Sequence, residues 1–207
     1  MTRAAVNGDW AVMPTDFRIL VVGRDNVCRS PLAKRMLQHD LDTEAPGEFT
    51  VCSAGTQAAS GRPAAVEVLR LASRRGLRLH GFVASQLDEA MISEADLILV
   101  MDRELRREVV GVSPRALRNT FTLREFARIL PTVRPEARAT RTGRWQSLVA
   151  LAPRYRTPPE GDGSDDDVVD PRNRSARAYE RMSTQIVSAI ETIRAWEVQG
   201  CTPASSR

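Results

Sequence analysis

Lysine is almost absent from this chain of 207 residues, because Lys34 is the single lysine among 30 basic side chains. Arginine supplies the rest. Its planar guanidinium suits phosphate recognition, but so uniform a bias is more typical of a GC-rich genome. The net charge is only +4 and no run of five or more basic residues occurs. The pI of about 9.5 therefore gives little support for nucleic-acid binding, and we expect no nucleic-acid partner.

Cysteine and histidine are also scarce. The three cysteines are Cys28, Cys52 and Cys201, and the two histidines are His39 and His80. An odd, sparse set of cysteines does not indicate a disulfide framework, and no C-x-x-C motif or cluster of cysteine and histidine indicates a metal site. We therefore expect neither a metal nor a cofactor.

Long apolar runs are missing as well. No stretch approaches the 18 apolar residues of a membrane span, and residues 1–16 lack the apolar segment of a signal peptide. We expect a cytoplasmic protein without a membrane partner. Residues 1–16 are interpreted as a flexible extension, residues 17–198 as one domain and residues 199–207 as a tail.

Short apolar runs alternate with helical patterns along that domain. The predicted strands are 17–22, 48–56, 95–102 and a shorter one within 119–123. Helical patterns follow at 30–41, 63–76, 88–94, 103–111, 124–130, 144–151 and 175–198. Two of them carry clear apolar stripes, namely Leu32, Met36, Leu37 and Leu41, and later Met182, Ile186, Ile190 and Ile193. This alternation predicts a parallel sheet with helices on both faces.

The loop after the first strand carries the most specific pattern. The apolar run ends at Gly23, and Ser30 followed by Pro31 predicts a helix start with a hydroxyl cap. Helix N-termini expose free N–H groups and bind anions, so residues 23–30 predict a phosphate site. The alternative is an ordinary turn between strand and helix that carries a surface arginine.

A nucleotide-binding P-loop is a second alternative. The stretch GRDNVCRS has the spacing of G-x-x-x-x-G-K-[ST], and Asp102 after the third strand could hold magnesium. However, Cys28 replaces the glycine that lets the backbone approach the phosphates, and Arg29 replaces the lysine. Both substitutions argue against nucleotide binding.

A family resemblance fits the same residues better. The stretch ILVVGRDNVCRSPLA (19–33) resembles the phosphate-binding loop of the low-molecular-weight protein tyrosine phosphatases, V-C-x-G-N-x-C-R-S-P after an apolar strand. SAGT at 53–56, ADLILVMDRELR at 95–106 and DPRNRSARAYE at 170–180 continue the resemblance in the family's order. It spans about residues 17–198 and implies a small four-stranded parallel sheet with helices on both faces.

The resemblance also implies roles for individual residues. In the family, a cysteine at the start of the loop attacks phosphorus, and water then hydrolyses the phosphocysteine. Asp170 takes the position of the general acid that protonates the leaving group, and Arg29 that of the arginine that holds the phosphate oxygens. The residues expected to surround the phosphate are Gly23, Arg24, Asp25, Asn26, Val27, Cys28, Arg29 and Ser30. Without a catalytic role, Asp170 and Arg29 would simply brace their loops.

The nucleophile is missing, because its position is Gly23. Arg24 stands where the family has a neutral residue, and Asp25 stands where it has glycine. Asp25 can tolerate the left-handed backbone that this glycine allows. We expect its charge to repel phosphate unless the side chain points outward or pairs with an arginine. Cys28 lies at the other end of the loop, where a buried structural thiol is the alternative to a substitute nucleophile.

The sequence therefore predicts a pseudophosphatase that binds phosphate or a phosphorylated protein through the 23–30 loop. The residues directly after Asp170, 171–174, include no aromatic side chain that would flank a phenol, and Arg172 and Arg174 make the rim basic. Two alternatives stay open. One is slow phosphomonoester hydrolysis, by Cys28 or by water activated near Asp170. The other is an interaction protein whose loop is empty. The oligomeric state is left open.

Overall fold

Four parallel strands form the centre of the molecule. The structure is a computed structural model, and it describes residues 17–133, 140–157, 161–172 and 174–200. The strands are β1 (Phe17–Gly23), β2 (Phe49–Gly55), β3 (Leu97–Val100) and β4 (Thr120–Thr122). Their order in the sheet is β2-β1-β3-β4. The predicted four-stranded parallel sheet with helices on both faces is confirmed.

The α-helices of the described residues follow the predicted order, with bounds that differ by a few residues. They are α1 (Arg29–Glu44), α2 (Val66–Ser73), α3 (Glu89–Glu94), α4 (Arg103–Val112), α5 (Leu123–Ile129), α6 (Arg141–Leu151) and α7 (Ala176–Gly200). The largest difference is at α2, where 63–76 was predicted. The N-cap residue Ala65 has a ψ of 145°, outside the helical range, and residues 74–76 form a turn after the helix ends. None of the described helices is long and apolar enough to cross a membrane.

The two central strands are buried on both faces, as their continuous apolar sequence predicts. Ile19 pairs with Leu97 in the parallel register of β1 and β3, and both side chains are fully buried. Each such side chain contributes about 1.5–3 kcal/mol relative to leaving it exposed. β1 and β3 therefore form a rigid base for the segments that follow their carboxyl ends.

Both predicted apolar stripes face the core. The buried residues of the two stripes are Leu32, Met36, Leu37 and Leu41 in α1, and Met182, Ile186, Ile190 and Ile193 in α7. The two helices pack against each other, and α7 also packs against α5. The first turn of α7 thereby lies beside the start of α1, where Tyr179 reaches Cys28.

The far end of α7 is held by a buried carboxylate. Glu197 is fully buried and accepts hydrogen bonds from Trp145 Nε1, at 2.6 Å, and from Arg144. Arg141 Nε lies 2.7 Å from its other oxygen. A buried carboxylate is tolerated only when such donors compensate its lost hydration, so α6 and α7 are fixed to each other.

The start of α1 corrects one prediction. The helix begins at Arg29 with Cys28 at the N-cap position, and no side chain caps it. Ser30 is therefore inside the helix and is not its cap. Residues 1–16 and 201–207 lie outside the described residues, so the extension and most of the tail stay predictions, and α7 continues to Gly200.

Candidate phosphate-binding site

The loop of residues 23–30 begins at the carboxyl end of β1, next to the end of β3. In open parallel sheets, ligands bind beyond the carboxyl ends of the strands, where neighbouring connections diverge. Here β1 leads to the loop, and β3 leads to Met101 and Asp102 beside it, because Met101 N donates to Val22 O at 3.1 Å. The strand order therefore places the loop and Asp102 at one crevice.

Four carbonyl groups of the loop are hydrogen-bonded to the segment that follows β2. The carbonyl oxygens of Gly23, Arg24, Asp25 and Val27 accept hydrogen bonds of 2.9–3.1 Å from the amides of Thr56, Gln57, Ala59 and Ala65, respectively. Within the described residues, no amide of residues 24–30 donates to a backbone carbonyl in return. The loop therefore keeps a row of free N–H groups, which is the arrangement that anions bind.

Asn26 makes the sharp turn of the loop. Its φ is 54°, in the left-handed region that asparagine tolerates better than most residues. Its side chain is buried, donates to Ser30 Oγ at 3.0 Å and accepts from Ser85 N at 3.0 Å. The left-handed residue of the loop is therefore Asn26 and not Asp25. The amide side chain of Asn26 can make both of these bonds, whereas a carboxylate cannot donate.

Gly23 has no space for a side chain as the loop stands. A β-carbon on Gly23 would lie 2.5 Å from Ser30 Oγ and 3.2 Å from Ser30 Cβ, and the first distance is far below van der Waals contact. The hydroxyl is held there by Asn26 Nδ2. Ser30 thus occupies the position that a side chain of residue 23 would need.

Arg29 closes the loop and is braced by three acceptors. Its guanidinium, of which only 5% of the side chain is exposed, donates from Nη1 to Asp102 Oδ2 at 2.7 Å and to Val168 O at 3.1 Å. Nη2 donates to Asp170 Oδ2 at 3.2 Å. Arginine has five N–H donors, so Nε–H and one hydrogen of Nη2 stay available for a ligand, since neither donates elsewhere in the described residues.

Asp170 lies in this brace. One carboxylate oxygen accepts from Arg29, and the other accepts from Arg172 N at 3.0 Å. About a third of the side chain is exposed. These bonds show a loop-bracing contact. The general-acid role that the family resemblance implies stays a prediction.

The two unusual charges of the loop are both paired. Asp25 accepts two hydrogen bonds from Arg172 Nη1, at 2.9 and 2.7 Å. Arg24 Nη2 lies 2.9 Å from Glu104 Oε2, and its Nη1 lies 3.4 Å from an oxygen of Glu108. Arg24 is thereby directed towards α4. The pairing of Asp25 reduces the repulsion that an isolated carboxylate would exert on phosphate.

Cys28 is at the opposite end of the loop from Gly23 and packs against the hydrophobic core. Its Sγ lies 3.9 Å from the hydroxyl oxygen of Tyr179. Burial raises the pKa of the Cys28 thiol above its usual 9.0. The pKa of Tyr179 is raised to about 12, mainly by burial and to a lesser extent by the neighbouring Cys28. A thiol that is protonated at neutral pH is a poor nucleophile.

The structure brings all the predicted site residues together, from Gly23 to Ser30 and Asp170. It adds three partners that were not predicted for this site, namely Asp102, Val168 and Tyr179. Asp102 had been considered only as a magnesium ligand of the P-loop alternative, whereas its Oδ1 accepts from Leu105 N at 2.8 Å and its Oδ2 binds Arg29. Its position after a strand adjacent to β1 was the signal that could have identified it.

Comparisons with known proteins agree with this geometry. The family model described as low molecular weight phosphotyrosine protein phosphatase matches residues 18–133, which include the loop and Asp102 but not Asp170. A probable low molecular weight protein-tyrosine-phosphatase, EpsP of Ralstonia nicotianae, is 38% identical over 108 residues, which are 52% of this chain and 71% of EpsP. The low molecular weight protein-tyrosine-phosphatase Etp of Escherichia coli is 34% identical over 103 residues, 50% of this chain and 66% of Etp.

A solved structure extends the likeness to the second half of the chain. The YwlE arginine phosphatase from Geobacillus stearothermophilus superposes with a TM-score of 0.64 at 25% identity. The match covers 88% of this chain and 93% of that one. The similarity of fold therefore extends beyond the part matched by sequence.

Proposed function

The chain belongs to the low molecular weight phosphotyrosine protein phosphatase family, and we propose that it binds phosphate, or a phosphorylated side chain of a partner protein, without hydrolysing it. One observation carries this proposal. Residue 23, the nucleophile position implied by the resemblance, is glycine, and Ser30 occupies the space of the missing side chain. The free amides of residues 24–30 and the open edge of Arg29 are independent of that side chain.

Hydrolysis through a phosphocysteine lacks its nucleophile. Formation of a phosphocysteine needs a thiolate aligned with the leaving group. Gly23 supplies no sulfur, and Cys28 lies at the other end of the loop with a raised pKa. Ser30 Oγ accepts from Asn26, and the described residues place no hydrogen-bonded base beside it. Loss of the nucleophile from a coordinated site typically costs about a million-fold in rate.

Binding is expected to be weak. Arg29 attracts phosphate, but Asp102 and Asp170 share its charge, and Asp25 is balanced by Arg172. These five side chains together carry one net negative charge at neutral pH. The attraction therefore comes from the backbone amides and the helix N-terminus together with the two N–H groups of Arg29 that stay available for a ligand. We expect a dissociation constant of around 1 mM for inorganic phosphate, or about 4 kcal/mol at the standard state.

A phosphate titration tests this proposal. At constant ionic strength, 10 mM phosphate should stabilise the fold by roughly 1.4 kcal/mol, seen as a rise in melting temperature. In a ¹⁵N-resolved NMR titration, the shifted signals should be those of the amides of residues 24–30 and of Arg29 Nε. Chloride at matched ionic strength is the control, and Arg29→Ala should remove the response.

Two results would contradict the proposal. An unchanged melting temperature and unchanged amide signals up to 50 mM phosphate would show an empty loop, and would favour an interaction protein that does not use it. Steady release of phosphate from an aryl phosphate, lost in Cys28→Ser, would show an active enzyme.

A further inference from the structure

We propose that a cavity beside the loop, lined by three arginines, binds acidic side chains of the same phosphorylated peptide whose phosphoryl group enters the loop. The part of this inference that places the phosphoryl group in the loop rests on the proposed function. The cavity itself is independent of Gly23. We call it the arginine cavity, with a volume of about 490 Å³, and it is lined by Val169, Arg174, Ser175, Arg177, Ala178 and Arg181.

The three arginines lie on one side of the beginning of α7. Arg174 precedes the first helical residue, Ala176, and Arg177 and Arg181 follow at intervals of three and four residues. Side chains at these intervals lie one above another on a helix. All three arginines are exposed, so their guanidinium groups can reach a ligand in the cavity.

These guanidinium groups have no carboxylate partner in the described part of the chain. Among the other charged residues of the same helix, Glu180 and Arg194 are paired. Glu180, which lies between Arg177 and Arg181 in the sequence, is 2.6 Å from Arg74, and Arg194 is 2.8 Å from Glu44. No acidic residue lines the arginine cavity. Three like charges around one concave surface are therefore left for an anion from outside the described residues.

The chemistry of the cavity selects carboxylate and phosphoryl groups. Guanidinium groups bind both through paired N–H donors, and the N-terminus of a long helix adds a positive potential. The lining has no aromatic side chain on which a base would stack. Single-stranded nucleic acids gain much of their affinity from such stacking, so the cavity favours an acidic peptide.

The cavity and the loop share one short segment of backbone. Val169 lines the cavity, and the next residue, Asp170, contacts Arg29 of the loop. Consecutive Cα atoms across a trans peptide are about 3.8 Å apart, so one residue of the cavity and one contact of the loop are neighbours along the backbone. An extended peptide advances about 3.3 Å per residue. Acidic side chains roughly two to four positions from a phosphorylated residue in the loop would then reach the arginines.

Fluorescence anisotropy with three labelled peptides of equal length tests this inference. The first peptide carries phosphotyrosine flanked by Asp and Glu. The second has the same acidic flanks with unmodified tyrosine. The third has phosphotyrosine with neutral flanks. The test variant replaces Arg174, Arg177 and Arg181 with Gln.

A matched control variant removes the same charge elsewhere. Arg115, Arg118 and Arg154 are exposed and form no ion pair in the described residues. Arg115 and Arg118 directly precede β4, at the amino end of the strands. Arg154 lies two residues before Arg156, which donates to Thr120 O at that same end. Replacing these three with Gln changes the net charge equally and leaves the cavity intact.

The expected result is a loss of affinity of about tenfold for both acidic peptides in the cavity variant. The neutral phosphopeptide should be unaffected, and the control variant should change each affinity by less than about twofold. The inference is overturned if both variants lose affinity equally, because binding would then depend only on net charge. It is also overturned if the cavity variant binds the acidic peptides normally, or if single-stranded RNA binds the cavity more tightly than they do.

Failure of the proposed function gives a different pattern. If the loop is empty, the phosphopeptide with neutral flanks either does not bind or loses its affinity in the cavity variant, and the two acidic peptides depend on the cavity alike. Their dependence on the arginine cavity would still support the cavity as an acidic-peptide site and would remove only the phosphoryl half of the proposal.

Discussion

Ser30 and Gly23 compete for the same space: the serine hydroxyl lies 2.5 Å from the point that a β-carbon on residue 23 would take. Gly23 has no positive φ, so its backbone would accept a side chain. The hydroxyl, held by Asn26 Nδ2, is what prevents it. The serine hydroxyl therefore fills the point at which a β-carbon of residue 23 would lie.

A double-mutant cycle measures this competition. Gly23→Ala should destabilise the fold by about 1–3 kcal/mol through overpacking. Ser30→Ala should cost about 1 kcal/mol, because Asn26 Nδ2 loses its acceptor. The double variant should be less destabilised than the sum, by on the order of 1 kcal/mol. Denaturant unfolding gives the three values, and strict additivity would show that the two positions do not compete.

Restoring the nucleophile should restore only part of the activity. The wild-type chain should release phosphate from an aryl phosphate no faster than buffer. Gly23→Cys should give a measurable rate far below that of Etp of Escherichia coli under the same conditions. The new sulfur requires Ser30 to rotate away from Asn26, while Arg24 and Asp25 remain. Adding Asp25→Gly should raise the rate further. A Gly23→Cys variant as fast as Etp would contradict the view that the loop has been remodelled.

The ion pair of Asp25 with Arg172 should control phosphate affinity more than stability. Both side chains are partly exposed, at 23% and 46%, and such pairs contribute about 0–1 kcal/mol to folding. Arg172→Gln leaves Asp25 unbalanced beside the anion. We expect phosphate affinity to fall by roughly fivefold, about 1 kcal/mol, and Asp25→Asn in that background to restore it. Isothermal titration calorimetry measures the phosphate affinity of both variants. An unchanged affinity in Arg172→Gln would show that the charge of Asp25 does not affect phosphate binding.

Cys28 should react slowly with alkylating reagents at neutral pH. Burial raises its pKa above 9.0, so the native thiol keeps its proton to higher pH than in the unfolded chain. Its contribution to stability is therefore complete below the unfolded pKa and is lost as pH rises through the native value. Peptide mass spectrometry after iodoacetamide treatment should show the modification of Cys28 rising only above about pH 9. A midpoint below pH 8 would make Cys28 a credible nucleophile again.

The hydrophobic pattern was sufficient to predict the sheet and the helix order, because burial of β1 and β3 leaves a signal in consecutive residues. The position of the loop also followed from the sequence, since its strand and helix are local features. The partners of its side chains did not. Arg172 could be recognised only as a basic residue on the rim, because its pairing with Asp25 depends on how two distant segments meet.

The helix start shows a second kind of limit. Ser30 before Pro31 is a good capping pattern, yet Asn26, four residues earlier, engages the hydroxyl instead. Local propensity could not decide between these two bonds. The left-handed backbone of Asn26 and the absent side chain of Gly23 together decided it.

Arg29 draws its three acceptors from residues that follow it by 73, 139 and 141 positions. During synthesis the loop therefore emerges long before the carbonyl of Val168 and the carboxylate of Asp170. Contacts of such separation are costly to form early, because a long intervening chain must first be ordered. The guanidinium can be fixed only after the second half of the chain has packed. Anion binding by this loop should therefore be acquired late in folding, as a property of the completed chain and not of the loop sequence.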